Sequence, residues 1–91
     1  MRRLRTVGIE LEGERGTATV SRRLALVEGG RVIMLCAEFR RRERPLAEGE
    51  CWSGNATEKN VQDLARWLKG HIEGTQRGDV RAYLRTIRTV L

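Results

Sequence analysis

The stretch Leu24-Ala25-Leu26-Val27-Glu28-Gly29-Gly30-Arg31-Val32-Ile33-Met34-Leu35 decides the fold. Two apolar runs flank a pair of glycines. Adjacent glycines between such runs signal a tight hairpin, because primed turns need positive φ. A two-residue Gly29-Gly30 loop sets Glu28 opposite Arg31, Leu26 opposite Ile33 and Leu24 opposite Leu35. It also sets Arg22 opposite Ala37 and Val20 opposite Phe39. Because strand side chains alternate, Val20, Leu24, Leu26, Ile33, Leu35, Ala37 and Phe39 then share one face, the one expected to be buried. The other face carries Arg23, Glu38, Arg40 and Arg42 toward the open end, with Ala25, Val27, Val32 and Met34 near the turn. A slip of one residue would exchange the faces, so the assignment depends on the turn. Arg22 interrupts the apolar face near the open end, where a long side chain can snorkel outward.

Upstream, Val7, Ile9 and Leu11 alternate with Gly8, Glu10 and Glu12, the period of a half-buried strand. Gly13-Glu14-Arg15-Gly16 reads as a turn into a β-rich stretch from Thr17 to Val27, and Val32 to Arg42 resumes it after the hairpin turn. Downstream, Glu43 to Gly54 is polar, holds the lone proline Pro45, and reads as a connecting loop. Within it, Glu50-Cys51-Trp52 is a candidate edge strand. Asn55 and Glu58 have the spacing of a capping box, with Thr57 as the alternative N-cap. Val61, Leu64, Ala65, Leu68 and Ile72 then form one apolar helical stripe. Gly74-Thr75-Gln76-Arg77-Gly78 breaks the pattern, Asp79 is a reasonable cap, and Val80, Tyr83, Leu84, Ile87 and Leu91 repeat it. The expected architecture is a single small α+β domain over residues 1–91. A three-stranded antiparallel sheet, four-stranded if the edge strand forms, is followed by two antiparallel helices packed on one face.

The 91 residues include sixteen arginines and two lysines, and the formal net charge is +6. A field of that sign favours polyanionic partners. The arginines cluster: Arg2, Arg3 and Arg5 open the chain, Arg40, Arg41, Arg42 and Arg44 close a strand, and Arg77, Arg81, Arg85 and Arg88 are expected to line the last helix. On a helical wheel this last set spans about 80° and flanks the apolar stripe. Like charges at i, i+4 slightly oppose the helix, which points to a partner that neutralises them. Arg23, Arg40 and Arg42 are expected to form a second patch on the exposed sheet face, suited to phosphate contacts. The plain alternative for the helix row is an ordinary solvated face, and for the sheet patch a charged strand end that discourages edge pairing.

Other classes are disfavoured. No apolar run approaches the ~20 residues that span a bilayer. The basic start has no apolar stretch behind it, so no secretion signal is expected and the cytoplasm is the expected compartment. Cys36 and Cys51 read as reduced structural thiols, with a bridge between them not required. The aromatics, Phe39, Trp52, Trp67 and Tyr83, are few and fall at core or boundary positions, which argues against base stacking. His71 is the lone histidine and has no catalytic partner at a recognisable spacing. Glu10, Glu12 and Glu14 lack a second cluster that would complete a metal site. No enzyme, cofactor or metal is expected.

The order of a short sheet, a capped helix from Asn55-Ala56-Thr57-Glu58 through Leu64-Ala65-Arg66-Trp67-Leu68, and a second helix resembles certain small phage-encoded anti-CRISPR inhibitors. The likeness is one of element order rather than motif, so it transfers no functional residue. It implies binding a CRISPR effector and blocking target DNA or nuclease recruitment. Many such inhibitors are acidic nucleic-acid mimics, which a +6 chain is not. Three readings stay open. The arginines contact nucleic-acid phosphates with little sequence preference, they pair with carboxylates on a protein or nucleoprotein, or they solvate a structural or homo-oligomeric subunit.

Overall fold

The computed structural model describes residues 7–91, so Arg2, Arg3 and Arg5 lie outside the described residues. Its centre is the hairpin of β2 (Gly16–Val27) and β3 (Gly30–Arg41), two strands of 12 residues paired antiparallel throughout. The ladder sets Gly16 opposite Arg41, Ala18 opposite Phe39, Val20 opposite Ala37, Arg22 opposite Leu35, Leu24 opposite Ile33 and Val27 opposite Gly30. The turn is therefore Glu28-Gly29, one residue earlier than the glycine pair suggests. Gly29 has φ +91° while Glu28 does not have positive φ, the pattern of a type II turn, which needs glycine only at its third position. Moving the turn by one residue shifts every partner by two, so the expected pairs are wrong and the expected faces survive.

β1 (Val7–Gly13) and β4 (Cys51–Asn55) complete a four-stranded antiparallel sheet in the order β1-β2-β3-β4. The edge strand forms but starts one residue later than expected, leaving Glu50 outside it, and runs on to take up Asn55. Trp52 lies opposite Ala37 and packs against the core. With Asn55 in the sheet, Thr57 caps α1 (Glu58–Glu73), its Oγ1 accepting from the Asn60 amide at 3.1 Å. The Asn60 side chain donates to the Asn55 carbonyl at 2.8 Å, which ties the helix start to the strand end. Gly74 ends α1 in the left-handed region at φ 83°, where its N–H reaches the Gly70 carbonyl. After a short connection α2 (Arg81–Val90) runs back antiparallel, with Tyr83 near Glu73 and Arg88 near Glu58.

Both helices lay their apolar stripes on one sheet face. Leu64, Leu68 and Ile87 are fully buried against Val20, Leu35 and Phe39. Ala18 and Ala37 stand opposite Phe39 and Val20 in the ladder, so a small residue faces a larger one in each pair. That alternation gives the helical side chains depressions to fill at close-packed density.

The expected core was too long. Leu24 (39% exposed), Leu26 (79%) and Ile33 (40%) share the apolar face yet escape the helices. Arg22 marks the limit. Its Nη1 donates to the Leu91 carbonyl at 2.6 Å, which satisfies an orphan group at the end of α2 and sets a cation at the negative end of the helix. Among the described residues β1 begins opposite Arg22 and β4 ends opposite Met34, so the hairpin continues past them as a two-stranded arm.

The two halves of the apolar face should answer differently to truncation. Leu64→Ala is expected to cost about 2–5 kcal/mol of stability, whereas Leu26→Ala is expected to stay within about 0.5 kcal/mol. Urea denaturation midpoints of the two variants check this.

Candidate polyanion-binding surface

Where each arginine stands follows from the helix caps and the strand register. α2 begins at Arg81 because Gly78, at φ +93°, breaks the chain and the Asp79 carboxylate accepts from the Arg81 amide at 2.8 Å. Arg77 is therefore not on the helix, which corrects the expected row of four. It lies in the connecting segment, with its amide donating to Thr75 Oγ1 at 3.2 Å. Arg81, Arg85 and Arg88 do share one exposed face of α2, within an arc of about 60°.

These three differ in their partners. Arg81 grips Asp79 through Nε at 2.8 Å and Nη2 at 2.7 Å, and this guanidinium holds the Asp79 carboxyl down at about 2. Arg88 Nη2 reaches Glu58 Oε1 at 3.0 Å across the two helices. Arg85, between them, has no carboxylate partner among the described residues. The row is thus partly neutralised at its ends and open in the middle.

The sheet-face patch does not assemble. Arg23 stands opposite Met34 and Arg40 opposite Thr17, six ladder positions apart, which is about 20 Å along the strands. Glu10, Glu12 and Glu38 occupy the same face between or beside them, so the uncovered surface is mixed in charge. β3 ends at Arg41, leaving Arg42 in the turn that follows. What the topology does bring to that end is Arg15. Its guanidinium lies over Gly74 at the end of α1, where a Cβ would sit 2.9 Å from Nη1.

The aromatic side chains are occupied by packing. Phe39 is buried, and His71 lies against it and against Trp67, with ring centroids 5.2 Å and 4.3 Å away. That burial lowers the His71 pKa and favours the neutral ring. Tyr83 donates its hydroxyl to Glu73, which also accepts from the buried Lys69 at 3.1 Å. Desolvation and the Glu73 carboxylate push the Tyr83 pKa up, and the two donors pull that of Glu73 down. The cluster locks the end of α1 to the start of α2.

Sequence reasoning missed two of these contacts. One is the Arg41–Glu50 ion pair at 2.7 Å, in which a buried carboxylate anchors the loop before β4 and has its pKa lowered by the arginine. The other is the Tyr83–Glu73 bond. Only the Lys69/Glu73 spacing at i, i+4 could have been read in advance.

The Asp79 shift carries a pH dependence. Asp79 is not the N-cap, which is Val80, but its folded pKa lies below the ordinary value, so the stabilisation from its bonds to Arg81 is present above 3.8 and is lost as pH falls through about 2. Carboxyl NMR titration should place the Asp79 midpoint near 2, with the Arg81 amide resonance moving along the same curve. Comparisons of the chain with protein-family models, curated proteins and solved structures find no match.

Proposed function

We propose that the protein is a non-catalytic binding module that docks on a polyanionic partner, nucleic acid or nucleoprotein, through the outer face of α2. The observation that carries this reading is Arg85. It is an exposed arginine at the centre of a row of three, without a carboxylate beside it. A helix gains nothing locally from such a row, since like charges at this spacing repel. From Arg81 to Arg88 the row rises about 10 Å, a length of duplex axis along which each strand presents roughly three phosphates. The occupied aromatics support backbone contact over base readout. Arg77, exposed in the segment before α2, adds a further cation near that end of the helix. Arg23, Arg40 and Arg42 lie apart from it and add only to the general field.

A second reading is favoured by the arm, where Leu24, Leu26, Val27 and Ile33 are exposed. In that reading the arm seats on the protein part of a nucleoprotein complex while the arginines meet its nucleic acid or carboxylates. A phage inhibitor of a CRISPR effector is one such case.

Fluorescence anisotropy with a labelled random-sequence duplex tests the first reading. Arg85→Ala should reduce the slope of log affinity against log salt by about 1, and Arg85→Glu should weaken binding further. Unchanged affinity and slope in both variants, with unchanged circular dichroism, would remove α2 from the interface. Loss of nucleoprotein binding in Leu26→Asp, with duplex binding intact, would favour the second reading.

A further inference from the structure

The face of the sheet opposite α1 and α2 carries two thiols side by side. In the β3–β4 ladder Cys36 stands opposite Ser53 and Glu38 opposite Cys51. The flanking residues Ala37 and Trp52 point the other way, into the helical side. The Phe39 amide donates to the Glu50 carbonyl at 2.7 Å and the Ala56 amide to the Ile33 carbonyl at 2.9 Å. Ladder bonds therefore fall on the odd-numbered residues of β3. Cys36–Ser53 and Glu38–Cys51 are then pairs of the non-hydrogen-bonded kind, whose side chains approach most closely. Cys36 and Cys51 are diagonal neighbours in this block. Both are free thiols, Cys51 exposed and Cys36 half-buried, and both line one shallow depression of about 220 Å³ together with Glu38 and Ser53.

Reach decides what such a pair can hold. Diagonal cross-strand neighbours stand about 7–8 Å apart, whereas a disulfide needs Cα atoms within about 7 Å. A direct bridge is at or past its limit. A thiolate–metal–thiolate bridge replaces one S–S bond of about 2.05 Å by two metal–sulfur bonds of roughly 2.3 Å each. That adds about 2.5 Å of span, enough for the diagonal. Among the described residues no three His, Cys, Asp or Glu side chains are grouped to hold a metal ion. Ions that require a tetrahedral protein donor set, such as Zn²⁺, are poorly served. Two thiolates suit a soft ion.

We propose that Cys36 and Cys51 form a dithiol site on the open sheet face that binds one soft, two-coordinate cation of the Cu(I) or Ag(I) kind. Each thiol gives up its proton as its sulfur bonds the ion. One monovalent cation therefore displaces two protons and leaves a bis-thiolate complex of charge −1. The site lies on the face opposite α1 and α2 and shares no residue with the arginine row, so the two proposals stand or fall separately.

The test is an anaerobic titration of the reduced full chain with Ag(I), and with Cu(I) against a competing chelator. The expected result is one ion per chain, with both thiols protected together from a thiol-reactive chromophore. Cys36→Ser and Cys51→Ser should each lower affinity by about 100-fold or more, because each removes one of two linked ligands. Their circular dichroism should match the parent. Binding of two ions per chain, or a single-serine variant that keeps the parent affinity, would overturn the proposal.

Discussion

The pairing of small with large side chains across β2 and β3 is the constraint on which the rest of the structure depends. Ala18 faces Phe39 and Ala37 faces Val20, so the covered side of the sheet is dimpled, not flat. Leu64, Leu68 and Ile87 fill it from above. A bulkier residue at either alanine would lift a helix from the sheet, since overpacking a close-packed core costs about 1–3 kcal/mol. The Thr57 cap, the Tyr83–Glu73–Lys69 lock and the Arg22 contact to the end of α2 all hold helices whose place that surface has already set.

Arg22 has a second consequence, because it closes the helical layer. Past it the hairpin keeps its alternation but, among the described residues, neither helix reaches it, so an apolar stripe that reads as continuous divides into core and exposed arm. The charged surface divides in the same manner. Arg81 with Asp79, Arg88 with Glu58, Arg66 with Asp63 and Arg41 with Glu50 are each paired. Arg2, Arg3 and Arg5 supply half of the formal net charge. The net charge of +6 thus overstates how basic the described surface is, on which Arg85 is one of the arginines without a carboxylate partner.

Much of the fold was legible because it rests on local periodicity. The period of two in Val7–Leu11 and in the hairpin, the stripes of the two helices, and the glycines at the turns each report on neighbours in sequence. The register was less legible. Gly29 and Gly30 both adopt positive φ, and only the paired backbone shows which of them belongs to the turn. The candidate site was legible only in part. Arg81, Arg85 and Arg88 follow from helical spacing. The separation of Arg23 from Arg40 and the displacement of Arg77 depend on where a strand pair and a helix cap actually fall.

The amino-acid sequence by itself determined the kind of elements, their order, and which side chains share a strand or helix face, because alternation and helical period are properties of a single segment. Only the tertiary structure decided how far the helices reach along the sheet, which arginines meet a carboxylate, and that Cys36 and Cys51 become neighbours. Those outcomes turn on contacts between segments distant in the chain. Residues 15 apart in sequence are brought alongside by the β3–β4 ladder, and no pattern within either strand encodes that distance.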